Sequence, residues 1–158
     1  MEYPKFIVDA MCGRLAKWLR FLGYNTLYYK KGNDKQLLKL AIQEGRILIT
    51  KDTEFIKHKK LHKIIFIKAN NTEDQFLEVI KWIITNGFNP PKVHLFPTRC
   101  IVCNGEIKKV CKKHIVGLVP DYIFETKTNF HKCNKCHRIY WEGSHTARLK
   151  NKLNSLLS

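Results

Sequence analysis

Two pairs of cysteines constrain the second half of this chain more tightly than any other feature of the sequence. Each pair has the spacing C-x-x-C, and 29 residues separate the first pair, Cys100 and Cys103, from the second, Cys133 and Cys136. Two reverse turns that each present two thiolates supply the four ligands of a tetrahedral Zn²⁺ ion. A site with four cysteine ligands has no open coordination position, so the predicted zinc is structural rather than catalytic.

The remaining cysteines are not needed for this site. Because a predicted strand begins close to the N-terminus, we expect no signal peptide, which argues against a disulfide framework. Cys111 and His114 form a possible competing ligand pair, but two turns that close the four cysteines onto one ion need no fifth ligand. We expect Cys111 to be a small buried residue or a surface thiol, and Cys12 a packed thiol. The dipeptide Asn104-Gly105 suits a turn that needs a positive φ angle.

Alternating strand and helix patterns in the first half predict an α/β domain. Short apolar runs predict four strands, at residues 6–8, 26–29, 47–49 and 64–67. Apolar residues at helical spacing predict helices at 13–22, at 35–44 and from the cap Thr72 to about residue 84, with Ile42 and Leu77 among the inward-facing side chains. This order implies a mostly parallel sheet with helices on both faces. Ligands of such sheets bind outside the carboxyl ends of the strands.

The sequence predicts two domains joined by a linker. Residues 1–88 form the α/β domain, and residues 89–97, which contain two adjacent prolines, form the linker. Residues 98–158 form the zinc ribbon, which closes with a basic helix from about residue 146 to 157. The chain contains neither a G-x-G-x-x-G nor a G-x-x-x-x-G-K-[ST] motif, which argues against a dinucleotide enzyme or a P-loop NTPase.

A large positive charge limits the classes of partner. The 158 residues include 29 basic and 13 acidic side chains, for a net charge of +16. Both halves share the excess, with 17 basic and 9 acidic residues up to position 96 and 12 and 4 after it. Such a field favours polyanions, namely RNA, DNA or anionic lipid. The alternative is a lysine-rich composition with solvated faces. No apolar run reaches the length of a membrane span, and we expect a cytoplasmic protein without a membrane partner.

Acidic residues follow the predicted strands and begin the second helix. Asp9 follows strand one, Asp52 and Glu54 follow strand three, and Asp34 begins helix two. If strands one and three are neighbours, these acids converge on one crevice, where they repel each other unless a cation lies between them. Mg²⁺ or Mn²⁺, which prefers oxygen ligands, is the natural cation. Alternatively, Asp34 is a helix cap and the others are turn residues.

Basic and aromatic residues mark two candidate RNA-binding surfaces. Arg14, Lys17 and Arg20 are expected on the polar side of the first helix, where they either hold phosphates or form a solvated face. The second surface surrounds the cysteines, where aromatic rings could stack on unpaired bases or pack the ribbon core. Its residues are Lys108, Lys109, Lys112, Lys113, His114, Lys132, Lys135, Arg138, Tyr140, Trp141 and His145.

Three segments resemble the Mut-seven C-terminal ribonuclease family, which combines a PIN-type domain with a zinc ribbon. They are residues 9–24 (DAMCGRLAKWLRFLGY), 45–52 (GRILITKD) and 139–145 (IYWEGSH). The resemblance covers nearly the whole chain. It implies a PIN-like fold and RNA cleavage that depends on Mg²⁺ or Mn²⁺.

The resemblance also implies roles for individual residues. Asp9, Asp34 and Asp52 match the acidic positions of the family, and Thr50 matches the hydroxyl residue two positions before the third acid. Glu54 occupies a place that is often acidic in related PIN-like domains. We therefore expect these five residues to form the catalytic site, with the three aspartates as ligands of the metal.

Two functions remain in competition. One is an endoribonuclease whose ribbon holds the substrate. The other is a non-catalytic RNA-binding factor associated with the ribosome, ribosomal RNA or another ribonucleoprotein. The high charge favours the second, as does the lack of a clear fourth acid after strand four, for which Glu73 and Asp74 are the candidates. A PIN-type toxin ranks last, because such toxins do not normally carry a zinc ribbon.

Overall fold

The computed structural model describes residues 3–58, 63–94 and 96–158. The chain forms two compact units, which comprise residues 1–20 with 24–91 and residues 21–23 with 92–158. The first contains a parallel sheet flanked by helices, and the second contains an antiparallel sheet and four clustered cysteines. The predicted fold class is thus confirmed. Across the described ranges, no helix combines the length and apolarity that a membrane span requires.

Strands and helices alternate through the first unit as the sequence predicts. The elements are β1 (Phe6–Val8), a 3₁₀ turn (Ala10–Cys12), α1 (Gly13–Phe21), β2 (Thr26–Tyr28), α2 (Asp34–Glu44), β3 (Ile47–Thr50), a second 3₁₀ turn (Thr53–Lys57), β4 (Ile64–Phe66) and α3 (Thr72–Thr85). All residues of β1 and β3 are buried, as expected for central strands of a sheet with two covered faces.

The order of the strands determines which loops meet. The sheet has the order β2-β1-β3-β4, and all three pairings are parallel. Val8 at the end of β1 pairs with Ile49 in β3. The carboxyl ends of β1 and β3 are therefore adjacent, as the sequence analysis assumed. The loops that follow these two strands carry Asp9 and Asp52.

The caps of α2 and α3 lie one residue before the predicted caps, Asp34 and Thr72. Asn33, not Asp34, caps α2: its side chain accepts from the Gln36 amide in a capping box, and Asp34 is the first helical residue. Gly45 ends α2 in the left-handed conformation at φ 63°. Asn71, rather than Thr72, caps α3. With no capping role to fill, the Asp34 carboxylate is available to a ligand.

Two helical residues expected in the core lie at the surface instead. Ile42 is 46% exposed and Leu77 is 39% exposed. In α2 the buried residues are Leu37 and Ala41, which lie four residues apart on one side of the helix. The prediction that Ile42 and Leu77 face inward was wrong, because each of them lies at the edge of the apolar stripe of its helix.

The second unit is a small antiparallel sheet with short helices. Its elements are β5 (Ile107–Val110), a 3₁₀ turn (Lys112–His114), α4 (Asp121–Thr126), β6 (Phe130–Cys133), β7 (Ile139–Trp141) and α5 (Ser144–Leu157). The strand order is β5-β6-β7, so β7 is an edge strand. Ile115, Val119 and Phe130 form a buried cluster, against which Ile139 and Trp141 are half-buried.

Candidate active site and zinc centre

Asp9 is buried at the end of β1 and is fixed by two hydrogen bonds. Its Oδ1 accepts from the amide of Met11 at 3.0 Å, which caps the following 3₁₀ turn, and its Oδ2 accepts from the hydroxyl of Thr50. The side chain is 8% exposed. Each carboxylate oxygen has two lone pairs, so each retains the capacity to accept a further bond or bind a cation.

Thr50 connects the loops after β1 and β3. It is fully buried, donates to Asp9 and accepts from the amide of Asp52 at 3.0 Å. Asp52 in turn caps the 3₁₀ turn Thr53–Lys57, because its Oδ1 accepts from the Glu54 amide at 2.9 Å. One hydroxyl thus sets the positions of two aspartates.

The three aspartates line one cavity in the first unit. The cavity has a volume of about 180 Å³, and Asp9, Asp34 and Asp52 contribute to its wall from three different elements. Lys30 lines the same cavity. Glu54 does not: it is exposed and forms an ion pair with Lys57 at 3.3 Å.

The donor set of this cavity suits a hard cation that keeps part of its water shell. Carboxylate oxygens are the ligands that Mg²⁺ and Mn²⁺ prefer, and Mg²⁺ is usually bound through only one or two carboxylates and several waters. The three carboxylates are not drawn into direct contact. Among the described residues, the four cysteines discussed below are the only group of three or more histidines, cysteines or acids whose ligand atoms lie within 4.8 Å of one another.

A tyrosine packs the start of α1 against the loop after β1. The hydroxyl of Tyr28 donates to the carbonyl of Ala10 at 2.8 Å, and its ring covers Gly13. A Cβ atom at Gly13 would lie 2.7 Å from the ring, so glycine is required by this close approach. Lys30 lies over the other part of this ring, 5.5 Å from its centroid.

Glu78 is an acidic residue near this region that the sequence analysis missed. From α3, its two oxygens accept from the amides of Lys68 and Ala69 after β4, each at 2.9 Å. Of the acids proposed after strand four, Asp74 is bound to the α3 cap at Asn71.

The thiol of Cys12 has a raised pKa. Burial and the charges of Asp9 and Glu78 raise it to about 11, although the charge of Lys51 acts in the opposite direction. Cys12 is therefore a neutral packed thiol.

The basic residues of α1 do not form one surface. Arg14 and Lys17 are exposed, but Arg20 is 7% exposed and its Nε donates to the carbonyl of Thr26 at 2.8 Å. The expectation that Arg20 lies on the polar side was wrong, since its guanidinium group bonds the backbone inside the domain.

Two similar turns bring the four cysteine thiols together. In each turn the amide four residues after the first cysteine donates to that cysteine's carbonyl, from Asn104 at 2.9 Å and from His137 at 3.1 Å. Asn104 and His137 have φ angles of 68° and 63°, so the positive φ predicted for the first turn is at Asn104. Gly105 is needed for another reason: a Cβ there would lie 2.8 Å from the Sγ of Cys133.

The thiol geometry fits a tetrahedral zinc site. The four Sγ atoms lie within 4.8 Å of one another. Sγ of Cys100 is 3.6 Å from that of Cys136, and Sγ of Cys103 is 3.4 Å from that of Cys133. A ZnS₄ tetrahedron with Zn–S bonds of about 2.3 Å has S–S edges of roughly 3.8 Å. Cys111 is exposed and lies outside this set.

Hydrogen bonds to the sulfur atoms favour the thiolate form that zinc needs. Amides of Gly105 and Lys135 donate to the sulfurs of Cys103 and Cys133, both at 3.4 Å. Burial raises the pKa of Cys100, but the Tyr140 hydroxyl at 3.0 Å and backbone amides outweigh it and lower the pKa to about 7. Such contacts orient the ligands of a metal and tune its site.

The comparison with known families decides the identity of the chain. The family model for the Mut7-C RNase domain matches residues 4–153, nearly the whole sequence. The chain belongs to the Mut7-C RNase domain family. No curated protein sequence matches it significantly. Membership identifies this Mut7-C protein as RNA-related, with RNA as the implied substrate, and confirms the family predicted from the three sequence segments.

The ribbon of this Mut7-C protein presents many of its predicted basic residues to solvent. Lys108 lies opposite Lys132, and Lys109 opposite His131, across the β5–β6 pair. Like charges at such positions repel each other, so the pair of Lys108 and Lys132 does not stabilise the sheet. Burial, together with the charge of Lys109, lowers the pKa of His131. The predicted residues that are exposed are Lys108, Lys109, Lys113, His114, Lys135, Arg138 and His145.

Two ribbon residues have roles that the prediction did not include. Tyr140 is 9% exposed and its hydroxyl contacts the sulfur of Cys100, which favours the alternative that its ring packs the ribbon core over the alternative that it stacks on bases. Lys112 is half-buried, with its Nζ 4.7 Å from the centre of the Phe124 ring. Trp141 is half-buried and borders the surface, which leaves it as the aromatic ring of this strand that a ligand can reach.

Proposed function

We propose that this Mut7-C protein is an endoribonuclease that depends on Mg²⁺ or Mn²⁺ held by Asp9, Asp34 and Asp52. The observation that carries the proposal is that these three aspartates, from three separate elements, line one cavity of about 180 Å³. A cavity at the carboxyl ends of parallel strands is where α/β sheets bind ligands. The family match supplies RNA as the substrate.

The residues around the cavity have different roles in the proposed cleavage. A hard cation bound there would orient a water molecule and offset the charge that develops on the leaving oxygen. Thr50 acts as a positioning residue, because its hydroxyl fixes the Asp9 carboxylate and the Asp52 amide. Lys30, in the same cavity wall, is placed to bind a phosphate oxygen by its charge. Glu54 lies outside the cavity wall and is not part of the proposed metal site.

We assign RNA binding to the ribbon and catalysis to the α/β domain. In this division residues 1–88 cleave the RNA, residues 89–97 link the two domains, and residues 98–158 bind the substrate. We place this activity in the cytoplasm. The four cysteines support it, since a closed zinc site organises a surface without doing chemistry. The exposed lysines of β5 supply a positive charge for phosphates.

A cleavage assay with single-stranded RNA tests the proposal. The wild-type protein should cut in Mn²⁺ or Mg²⁺, stop in EDTA, and resume when Mn²⁺ is restored. Asp34→Asn should lose at least about 90% of the rate because a metal ligand is removed. Asp121→Asn is the matched control, since Asp121 is also an exposed aspartate that begins a helix, but in the ribbon.

The same assay separates the nuclease from the alternative function. Wild-type protein that binds RNA but fails to cut single-stranded or structured RNA with Mn²⁺ present would contradict the nuclease proposal. That result would favour a non-catalytic RNA-binding factor, for which co-sedimentation with ribosomes through a high-salt wash would be the next measurement. Equal loss of cutting in Asp34→Asn and Asp121→Asn would also contradict the assignment of the metal site.

A further inference from the structure

The edge strand β7 borders two cavities in the second unit that share part of their walls. One has a volume of about 440 Å³ and the other about 560 Å³. Arg138, Ile139 and Trp141 line both. We call the two cavities together the β7 groove. Their volumes lie within the range of about 300–1,000 Å³ that is usual for small-ligand pockets.

Aromatic rings line the first cavity from two sides. Trp141 projects from β7, and Tyr122 projects from α4. Trp141 packs partly against the buried cluster around Phe130, which holds its ring in place. Tyr122 is 72% exposed, whereas its neighbours Ile123 and Phe124 pack against the same cluster. The Tyr122 ring is thus exposed to solvent, while the packing of Ile123 and Phe124 fixes the position of α4.

Lysine and arginine side chains line both parts of the groove. Lys127 and Arg138 line the first cavity, and Lys132 joins Arg138 in the second, where the zinc ligand Cys136 also lies. Neither cavity has an aspartate or glutamate in its described wall. A groove with aromatic rings on its surface and cations at its rim fits a ligand with a flat π-face and a phosphate. An unpaired nucleotide has both.

We propose that the β7 groove binds unpaired nucleotides of the RNA substrate, with a base stacked on Tyr122 and Trp141 and the adjoining phosphates held by Arg138 and Lys127. The proposal rests on the nuclease function only in taking RNA as the ligand. Because the two cavities share Arg138, Ile139 and Trp141, we assign neighbouring nucleotides of the strand to them. Stacking on an aromatic ring tolerates any base, so the groove selects single-stranded RNA rather than a particular sequence.

Anisotropy measurements with two labelled octamers test this inference. One octamer is oligouridylate, and the other has the same ribose-phosphate chain without bases. No divalent metal is added, so that cleavage does not interfere, and the zinc content of each variant is measured. Tyr122→Ala should weaken binding of oligouridylate about tenfold, consistent with the measured effect of losing one stacked base. It should leave binding of the abasic chain unchanged.

Three further variants separate stacking from charge and from folding. Tyr122→Phe retains the ring and should bind as wild type does. Tyr3→Ala removes a tyrosine of similar exposure, 63%, from the first unit and should have no effect. Arg138→Gln should reduce the slope of log affinity against log salt by about 0.7, the value for one single-strand phosphate contact, whereas Tyr122→Ala should leave the slope unchanged.

The outcomes distinguish this inference from the nuclease proposal. If Tyr122→Ala binds oligouridylate as tightly as wild type, or loses the abasic chain to the same extent, the groove does not stack a base and the inference is wrong. Neither result affects metal-dependent cleavage at the aspartates. Conversely, if Tyr122→Ala weakens binding as expected but the wild-type protein never cleaves RNA, the proposal of the β7 groove would stand and the nuclease proposal would be refuted.

Discussion

Removal of the Thr50 hydroxyl should loosen the site that it organises. Thr50 is fully buried, donates to Asp9 and accepts from the Asp52 amide. Valine has the same shape but forms neither bond. A hydrogen bond to a charged group contributes about 1.5–3 kcal/mol and a neutral one about 0.5–1.5 kcal/mol. The added methyl group of valine returns about 0.8 kcal/mol of apolar burial. Thr50→Val should therefore lower the free energy of unfolding by about 1–4 kcal/mol.

Thermal unfolding of the zinc-loaded chain measures this loss. For a domain of about 60–100 residues, 1 kcal/mol corresponds to about 4–8 °C in Tm, so the transition of the first unit should fall by about 5–30 °C. RNA cleavage below the transition should fall at least about tenfold, because Asp9 is no longer fixed toward the cavity. Thr50→Ser retains the hydroxyl and is the matched control. A valine variant that unfolds and cleaves like the serine variant would refute the positioning role of Thr50.

Two further predictions concern the cysteines. Purified protein should contain about one zinc per chain, and Cys133→Ser should lose most of it, because a buried ligand is removed; full zinc retention, measured by atomic absorption, would contradict the site. In the zinc-loaded protein at pH 8, iodoacetamide should modify only Cys111, which is exposed. Once zinc is chelated, the four ligand thiols should react as well. Cys12 should stay unmodified in both states, because burial raises its pKa to about 11. Mass spectrometry would count the modified thiols, and rapid modification of Cys12 in the folded protein would contradict this account.

Local sequence patterns were sufficient to predict the sheet and the cysteine site. The apolar runs of β1 and β3 are short and continuous because both strands are buried on both faces. The C-x-x-C spacing encodes a turn that is complete within a few residues. The capping error at α2 had a signal in the sequence, since Gln36 lies three residues after Asn33, the spacing of a capping box.

The misplacement of Arg20 has a geometric cause. At 3.6 residues per turn, Arg20 lies only about 40° around the helix from the buried Ala16. It therefore falls at the edge of the buried face, where a hydrogen bond to a backbone carbonyl helps to hold it inside. A helical pattern cannot reveal that acceptor, because Thr26 lies in the following strand.

Glu78 and Tyr122 were missed for another reason. Glu78 lies in the second turn of α3 and reaches the loop after β4 only through the packing of helix and sheet. Tyr122 lies eleven residues before Cys133 and meets Trp141 in one groove only through the ribbon's tertiary fold. In both cases the partners are distant in sequence, and no local pattern marks them.

The most direct test of the central claim is RNA cleavage by Asp9→Asn. Asparagine has nearly the same shape: its oxygen can accept from the Met11 amide, and its NH2 group can donate to the Thr50 hydroxyl, which reverses that bond. The fold and the zinc content should therefore be preserved. The variant should bind RNA as tightly as wild type or more tightly, because a negative charge facing phosphate is removed. Its Mn²⁺-dependent cleavage should be abolished. Cleavage by Asp9→Asn at the wild-type rate would contradict the assignment of the aspartates as the catalytic metal site.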